Sequence, residues 1–508
     1  MMFRSKVLQN YIPPVALAIV LFGFYISTLA PGLTWANGGS DGGDLITAAV
    51  TGGIAHPTGY PLYLLLARIF QLLPMGSLAF RTNLMSALAT ILASMLVYWL
   101  VTQSSIPLRA ERNWSAGLAA GFAFGLAPLV WSQALITEVY ALQSFLILII
   151  LYLYTRKDAN SPTLKKRLDR WRGLILGLAM CNHITTIFIV PLVLLIGATY
   201  RTVEVQDDKG LSASKPLRFD MVALRRQLSW FGIGLSVYII LPIRALSHPA
   251  VNWGNPITAG RFWWLVSGQL YQSYFLPSNL AGIWEHLQAW ATILLEQFGS
   301  PGLILGLLGL VVYGKFSRLY IFTTWIALIF SVFAILYRSI DAYLYLIPMV
   351  LAFSIWIGVG ITSLGQEFVG RFSRLGLILG ILITGYFIGR AILNHKQVDA
   401  SQDLRAEIFT REVLSTAPEE SIIFAKGDQA VFALWYYHFG LNQRTDLAVI
   451  ASDLLHFDWY QETLETTYPG LNLPGSFPWP ETVAAANPSR PACFVEYTNQ
   501  TEIECSSP

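Results

Sequence analysis

Long apolar segments recur along the first three quarters of the chain, and short polar segments separate them. The first, residues 11–30, has about the length of ~20 residues that crosses a bilayer as a helix. Residues 173–199 are too many for one crossing and are interrupted by Asn182 and His183, so they predict a hairpin of two crossings. The remaining segments lie at about 80–101, 114–131, 136–154, 228–245, 298–314, 318–336, 342–361 and 374–393. The pattern predicts an all-α polytopic membrane protein with about eleven transmembrane helices.

The basic residues give this layout an orientation. The apolar segment 61–74 is short, and we expect it to lie at the membrane interface rather than to cross it. Basic clusters at 156–172, 215–226, 315–318 and 371–374 then all fall on the side of the N-terminus. Because positively charged loops stay in the cytoplasm, we predict a cytoplasmic N-terminus and an extracytoplasmic C-terminus, in a bacterial inner membrane or in the endoplasmic reticulum.

The composition agrees with a protein embedded in the lipid bilayer. Hydrophobic residues make up 54% of the 508 residues and charged residues only 12%, whereas soluble domains carry roughly 25% charged residues. A net charge of +3 mainly reflects orientation and gives no reason to expect a nucleic-acid partner. Three cysteines are too few for a disulfide framework. Cys493 and Cys505 can pair if the tail lies in an oxidising compartment, and Cys181 has apolar neighbours typical of a structural residue.

The character of the chain changes near residue 394. Beyond it, charges and prolines are frequent, and no apolar run is long enough to span a membrane. Residues 421–425 and 447–450 predict short buried strands, and residues 404–414 predict an amphipathic helix. We therefore divide the chain into a membrane part, residues 1–393, and a small extracytoplasmic α/β domain, residues 394–508. The membrane part has a first outer loop at 31–80 and a long outer loop at 246–297.

The first outer loop concentrates the candidate chemistry in Asp41, Asp44 and His56. Glycines beside Asp41 let the backbone bring its carboxylate close to a ligand, and we interpret Asp41 as a general base that takes a proton from a hydroxyl. Asp44 is either a second catalytic carboxylate or the N-cap of a helix that begins near Leu45. His56 opens a turn that two prolines and a glycine make rigid, where it either forms a structural hydrogen bond or faces a lipid phosphate. Two carboxylates alone are a weak metal signal, so no metal is expected.

Other unusual polar residues fall on the same predicted face. Glu138 opens an apolar helix, where an acidic residue also matches the helix dipole. His183 lies at the tip of the predicted hairpin. Arg244 ends a helix, and Arg338 lies close to Asp341 in sequence; each arginine either has a local structural role or binds a phosphate, since the guanidinium group matches phosphate oxygens.

The long outer loop contains Trp253 and Asn255 within an Asn-Trp-Gly-Asn-Pro sequence. Tryptophans gather at membrane interfaces without any ligand, but sugars also stack on aromatic rings. The chain has no phosphate-binding loop, dinucleotide fingerprint, nucleophile elbow or zinc-protease motif. A nucleotide-driven pump and a typical membrane protease are therefore disfavoured.

Two sequence stretches in the first loop resemble a known family. They are Ser40-Asp41-Gly-Gly-Asp44 and Gly53-Ile-Ala-His56-Pro-Thr-Gly59-Tyr-Pro. They are similar to the N-terminal signature of a broad family of polytopic proteins whose animal member is an endoplasmic-reticulum O-mannosyltransferase acting on plexin-type receptor domains. Further similar stretches are Thr137-Glu138-Val-Tyr140, Asn182-His183, Ala425-Lys-Gly427-Asp428, Leu434-Trp-Tyr436 and Trp459-Tyr460. The chain departs from the family pattern at Gly42, Asp44 and Thr58, where the family has Ser, Glu and Pro; both carboxylates are kept, with the side chain of Asp44 shorter than that of the family's Glu.

The resemblance implies the C-type glycosyltransferase fold and transfer of a sugar from a polyprenyl-phosphate donor to an extracytoplasmic protein or glycan hydroxyl. The family's O-mannosyltransferases invert the sugar and generally need no metal or other cofactor. Mapped onto this chain, Asp41 is the base, with Asp44 as the second catalytic carboxylate. The resemblance and the residue types together suggest two further sets. Residues expected to bind the donor phosphate are Arg244, Arg338, His183 and His56. Residues expected to bind acceptor or sugar are Glu138, Tyr140, Trp253, Asn255 and Asp341.

Two rival functions remain at this stage. A transporter or a flippase for lipid-linked sugars predicts broken helices that meet at mid-membrane and pseudo-symmetric halves. The polar residues here gather at one face instead, and no internal halves are visible. A scaffold without catalytic activity would tolerate any replacement of Asp41.

Overall fold

The structure, a computed structural model, describes residues 2–103, 114–156, 161–200, 218–275, 280–312, 317–367, 375–475 and 478–506. Several basic residues behind the predicted orientation lie outside these ranges; they are Lys157, Lys215, Lys315, Arg371 and Arg374.

Helices dominate the membrane part. They are α1 (Met2–Thr28), α2 (Gly42–Thr51), α3 (Pro61–Gln71), α4 (Leu78–Gln103), α5 (Trp114–Gly125), α6 (Pro128–Ala134), α7 (Val139–Thr155), α8 (Pro162–Asn182), α9 (Val190–Ala198), α10 (Met221–Leu235), α11 (Ile240–Ala245), α12 (Ala259–Val266), α13 (Leu280–Val312), α14 (Arg318–Leu336), α15 (Ile347–Glu367) and α16 (Leu375–Asn394). A two-residue antiparallel pair, β1 (Thr199–Tyr200) and β2 (Arg218–Phe219), lies between α9 and α10.

The count of transmembrane helices is not confirmed at eleven. Among the described residues, seven helical stretches are long and apolar enough to cross a membrane, and the pair α5–α6, bent by 66°, would make an eighth. The helix α3 is short, as predicted for an interfacial segment, and α7 is also shorter than a typical span. The predicted break at Asn182 is confirmed, because α8 ends there and α9 begins at Val190. The predicted hairpin of two crossings is not confirmed, since neither α8 nor the nine-residue α9 is among the helical stretches long and apolar enough to cross a membrane.

The predicted outer loop 246–297 is too long. In the structure α13 already begins at Leu280 and continues to Val312, with a kink at Gly299. Pro301 cannot continue the regular hydrogen bonding of the helix, and Arg390 donates to the carbonyl oxygens of Glu296 and Gln297 just before the kink. The hydrophobic pattern missed the first half of this helix because its polar residues interrupt the apolar run.

The C-terminal domain is a small α/β unit. Its elements are α17 (Arg405–Thr416), β3 (Ile422–Lys426), α18 (Asp428–Trp435), β4 (Ala448–Ala451), α19 (Asp458–Thr467), α20 (Pro480–Ala486), β5 (Ala492–Tyr497) and β6 (Thr501–Ser506). The strand order is β4-β3-β5-β6, with the first three parallel and β6 antiparallel. The predicted helix and both predicted strands are confirmed. Cys493 and Cys505 lie opposite each other on β5 and β6 and form a disulfide, as considered from the sequence.

The domain packs directly on the first outer loop. Asp403 accepts hydrogen bonds from the hydroxyl of Thr34 and the backbone N–H of Trp35, at 2.7 and 2.9 Å. Gly43 in α2 leaves no room for a side chain, because a Cβ atom there would lie 2.2 Å from the carbonyl oxygen of Phe432 in α18. The loop and the domain therefore meet backbone to backbone.

Gly43→Ala is expected to weaken this junction. The added methyl group overpacks the contact with Phe432, which typically costs about 1–3 kcal/mol, so the midpoint of thermal unfolding in detergent should fall. Gly23→Ala in α1 is the matched control, because a Cβ atom there meets nothing within 4 Å. Equal unfolding midpoints for the two variants and the wild type would contradict the close approach.

Candidate functional site

The first outer loop folds into a short helix and a return turn. Asp41 immediately precedes α2, and Asp44 lies in its first turn. The helix ends at Gly52, whose φ of 73° is the left-handed conformation that glycine adopts without steric cost. The returning chain pairs with the long outer loop, where the N–H of Ile54 donates to the carbonyl of Val251 at 2.9 Å and the N–H of Trp253 donates to the carbonyl of Ile54 at 3.3 Å. This pairing brings His56 and Trp253 to the start of α2.

Asp44, His56 and Asp41 form a continuous polar chain. The Nδ1 atom of His56 lies 2.7 Å from Oδ2 of Asp44, and its Nε2 atom lies 3.4 Å from Oδ2 of Asp41. The side chain of Asp44 is fully buried, whereas 35% of the Asp41 side chain remains exposed. We call this set the carboxylate–histidine chain. It ends in one carboxylate, Asp41, that a substrate can reach.

Asp44 positions its neighbours. Its Oδ1 atom accepts from the indole N–H of Trp253 at 3.1 Å, and its Oδ2 atom accepts from the backbone N–H of His56 at 2.9 Å. It makes no side-chain capping bond, and the helix starts before it, so the alternative interpretation of Asp44 as an N-cap is wrong. With both oxygens occupied and no exposure, Asp44 orients His56 and Trp253.

The charges along this chain favour an ionised histidine beside a basic carboxylate. Burial alone would lower the pKa of His56, but the carboxylates of Asp41, Asp44 and Glu138 outweigh it and raise that pKa to about 9. Burial raises the pKa of Asp41; the charge of His56 opposes this, and the charges of Asp44 and Asp341 add to it. A carboxylate with a raised pKa binds a proton more strongly, which suits a general base.

Two further acidic residues lie close to the carboxylate–histidine chain. Glu138 is 4% exposed and immediately precedes α7. Burial, and then the charge of Asp41, raise its pKa well above the ordinary value. Asp341 accepts a hydrogen bond from Ser339 and acts electrostatically on both Asp41 and Glu138. Among the described residues, no group of three histidine, cysteine or acidic side chains is arranged to hold a metal ion.

His183, which is predicted to bind the donor phosphate, is a buried residue. Its burial and the nearby charge of His56 lower its pKa to about 4, so the ring is neutral near pH 7. Its Nδ1 atom lies 2.8 Å from the hydroxyl oxygen of Thr185 and 3.3 Å from the backbone nitrogen of that residue. The rings of Tyr60, Tyr140 and Tyr345 lie 6.0, 5.6 and 5.9 Å from it, centre to centre. His183 is thus a neutral ring surrounded by tyrosines. The Tyr60 ring also lies 5.0 Å from the His56 ring, centre to centre, and so connects the two histidines.

The C-terminal domain supplies two residues, Phe432 and Asp428, that are not among the site residues predicted from the sequence. The Phe432 ring stacks on that of His56, with centres 6.2 Å apart, and Asp428 lies one turn earlier on the same face of α18. Burial, and then the charge of Asp41, raise the pKa of Asp428 to about 6. The Ala-Lys-Gly-Asp motif was recognised only as part of the tail, since no sequence pattern indicates which way α18 faces.

Trp253 joins the long outer loop to the domain. Its ring lies 5.7 Å from that of Trp459 and 6.2 Å from those of Phe432 and Trp435. Asn255 does not contact the carboxylate–histidine chain; its side-chain amide donates to Glu462 in α19 at 3.0 Å.

The two arginines predicted to bind phosphate also lie outside the carboxylate–histidine chain. Arg244 donates to the carbonyl of Gly53 at 3.2 Å, just before the return turn, and lies within electrostatic range of Arg68. Arg338 is exposed and donates to the carbonyl of Ser273 at 3.1 Å. The structure thus gathers Asp41, Asp44, His56, Glu138, Tyr140, His183, Trp253 and Asp341 and leaves Arg244, Arg338 and Asn255 at its margin.

Comparison with known proteins gives two family matches. Residues 41–206 match the N-terminal domain of the protein O-mannosyl-transferase TMEM260, and residues 406–498 match TMEM260-associated domain 2. The mouse protein O-mannosyl-transferase TMEM260 is 25% identical over 503 residues, which cover 93% of this chain and 67% of the mouse protein. Its Dictyostelium discoideum counterpart is 23% identical, and the alignment covers 86% of this chain and only 57% of that relative.

Solved structures share the fold. ArnT from Cupriavidus metallidurans bound to undecaprenyl phosphate superposes with a TM-score of 0.57 at 14% identity, covering 97% of this chain and 94% of ArnT. The Archaeoglobus fulgidus oligosaccharyltransferase in its apo form gives a TM-score of 0.50 at 12% identity, covering 91% of this chain and 69% of that enzyme. The predicted C-type glycosyltransferase fold is therefore confirmed.

Proposed function

Because this chain belongs to the family of polytopic membrane proteins that includes the TMEM260 protein O-mannosyl-transferases, we propose that it transfers a sugar from a polyprenyl-phosphate donor to a hydroxyl group of an extracytoplasmic protein. Mannose is the first sugar to test, since both named relatives are O-mannosyl-transferases. The observation that carries the proposal is the carboxylate–histidine chain, in which two buried groups hold one accessible carboxylate.

The reaction is a single displacement. The acceptor hydroxyl gives its proton to Asp41 while its oxygen attacks the anomeric carbon of the sugar. The bond between that carbon and the phosphate oxygen breaks, and the phosphate leaves with the bonding electron pair. Attack opposite to the leaving group inverts the anomeric configuration. His56, held by Asp44, keeps Asp41 in place and balances part of the negative charge around it.

The departing polyprenyl phosphate needs positive charge around it. Arg244 is our first candidate because it borders the return turn that carries His56 and has Arg68 nearby. Arg338 is a second, more exposed candidate. His183 contributes a neutral N–H group rather than a charge.

The extracytoplasmic side is the proposed location of the site and of the C-terminal domain. The Cys493–Cys505 disulfide supports this side, since such bonds persist in oxidising compartments such as the periplasm or the endoplasmic-reticulum lumen. Among the described residues, the basic cluster near Lys165 lies at the opposite end of α8 from His183, which agrees with a cytoplasmic location for the basic loops.

The direct test uses the purified full chain with radiolabelled polyprenyl-phosphate mannose. We expect the label to leave the lipid and to appear on an added protein acceptor or in water. No loss of label with any of several sugars, together with movement of the intact lipid-linked sugar across a vesicle membrane, would favour the flippase alternative.

Chelation of divalent cations is expected to leave turnover unchanged. The oxygens of Asp44 are already occupied by Trp253 and His56, so Asp41 and Asp44 cannot jointly ligate a cation without breaking those bonds. Turnover with and without EDTA measures this. A loss restored by Mg²⁺ or Mn²⁺ would contradict the proposed mechanism.

Turnover is expected to follow a bell-shaped pH profile. Asp41 acts only when ionised, so the rate falls as the pH drops through its pKa, which burial raises above the usual ~4. The His56 imidazolium exists below its pKa of about 9, so the rate falls again as the pH rises past that value. The profile of kcat/KM reports both limbs. His56→Gln should abolish the alkaline limb, and an unchanged limb in that variant would assign it to another group.

A further inference from the structure

A cleft lined by both polar and apolar residues separates the long outer loop from the C-terminal domain. It has a cavity volume of about 100 Å³, and the loop residues His248, Asn252 and Asn255 face the α19 residues Glu462, Thr463 and Thr466 across it. Asn252 and Asn255 flank Trp253, which donates to Asp44. The cleft is therefore lined by the residue that precedes Trp253, whose indole holds Asp44.

A chain of hydrogen bonds fixes the orientation of both asparagines. The carboxylate of Glu462 can only accept, so the side-chain NH₂ group of Asn255 must face it, at 3.0 Å. The Oδ1 atom of Asn255 then faces Asn252 and accepts from the NH₂ group of that residue at 3.2 Å. The Oδ1 atom of Asn252 is left without a partner among the described residues, although Asn252 is only 4% exposed.

The unpaired group is therefore an acceptor, which an N–H or O–H donor on a ligand would satisfy. A buried polar atom without a partner costs about 1–3 kcal/mol, which a donor from the ligand recovers. The opposite wall does not call for a charged ligand, because Arg261 pairs with Glu462 through two hydrogen bonds of 2.6 and 2.7 Å. The hydroxyls of Thr463 and Thr466 already donate to carbonyls of their own helix and so present accepting lone pairs.

We propose that this cleft binds the backbone of the acceptor polypeptide beside the hydroxyl that receives the sugar, with a peptide N–H donating to Asn252. The inference rests on the proposed function, which requires a protein acceptor to approach from the aqueous side. A peptide backbone is neutral and carries one donor on each non-proline residue, which matches the unpaired oxygen of Asn252 and the accepting lone pairs of the two threonine hydroxyls. Helix α19 of the C-terminal domain then forms one wall of the acceptor site.

The test compares Thr466→Tyr, which fills the cleft, with Glu465→Tyr, an equally exposed neighbour on α19 that does not line it. The full chain receives polyprenyl-phosphate mannose and a short synthetic peptide containing serine and threonine. Binding of the fluorescein-labelled peptide is measured in parallel by polarisation. Thr466→Tyr should raise the KM and the Kd for the peptide about tenfold, equivalent to ~1.4 kcal/mol of binding, whereas Glu465→Tyr should leave both unchanged. Asn252→Leu, which removes the accepting oxygen, should act like Thr466→Tyr.

Each contrary result is distinct. Equal peptide affinity in Thr466→Tyr and Glu465→Tyr overturns the cleft as the peptide site. A tenfold effect on a mannan oligosaccharide acceptor, with the peptide unaffected, assigns the cleft to a glycan and also overturns the proposal. Donor hydrolysis that depends on Asp41, without peptide binding by the wild type, overturns the inference while the glycosyltransferase function stands. Peptide binding without any donor turnover supports the cleft and rejects the proposed function.

Discussion

Asp41→Asn is expected to lower sugar transfer by about 10²–10⁴-fold, the usual contribution of a positioned general base. The substitution keeps the size of the side chain and removes its ability to take the proton of the acceptor hydroxyl. The fold should be little affected, because 35% of the Asp41 side chain is exposed and its Oδ2 atom lies 3.4 Å from Nε2 of His56, a long distance for a hydrogen bond. Transfer from radiolabelled polyprenyl-phosphate mannose measures the rate, and thermal unfolding measures stability.

The control for this substitution is Asp458→Asn, which makes the same chemical change at the exposed start of α19. It should turn over like the wild type. Equal rates in Asp41→Asn and the wild type would remove Asp41 from the mechanism and revive the interpretation of the protein as a scaffold. A lower rate accompanied by an equally lower unfolding midpoint would show a structural role instead.

Asp44→Asn is expected to be the most destabilising single change in the site. The asparagine must turn an NH₂ group toward either the indole N–H of Trp253 or the two donors of His56, so at least one donor loses its acceptor. Removing one partner from a buried ion pair typically costs about 3–5 kcal/mol. The pKa of His56 should also fall, since the charge of Asp44 helps to raise it, and the alkaline limb of the pH profile should move to lower pH.

Thermal unfolding and the pH profile of kcat/KM together test the role of Asp44. The control is Asp399→Asn, where a partly buried carboxylate accepts a single local backbone hydrogen bond. A stable Asp44→Asn variant with an unshifted alkaline limb would mean that Asp44 does not hold His56. A variant that keeps its stability but loses all turnover would instead return Asp44 to the direct catalytic role first expected.

The sequence was sufficient for features that depend on local patterns. The strands near Ile422 and Ala448 show as short apolar runs, and the break at Asn182 interrupts a segment too long for one crossing. Glycines and carboxylates likewise marked the first loop as the candidate site. These signals lie within a few consecutive residues, where the spacing of hydrophobic residues and the residue types are enough to predict the local structure.

Features that depend on distant contacts were not predictable in this way. The role of Asp44 depends on Trp253, more than two hundred residues away, and on the turn that brings His56 back. The neutral state of the His183 ring was not predictable either, because burial lowers its pKa and burial is not visible in one sequence. The same limitation concealed Asp428, since only the packing of α18 against Gly43 turns its first residue toward the site.

The backbone contact between Gly43 and Phe432 also limits how this enzyme can be rebuilt. Because the first outer loop contacts the domain through main-chain atoms, any shift of α18 also shifts the loop. The domain therefore cannot be replaced without changing the loop. A chimera that imports the domain of a relative must also import the matching loop and the Trp253 turn, or Asp41 and Asp44 will no longer both contact His56. The geometry of the first outer loop and the position of the C-terminal domain are in this sense inherited together.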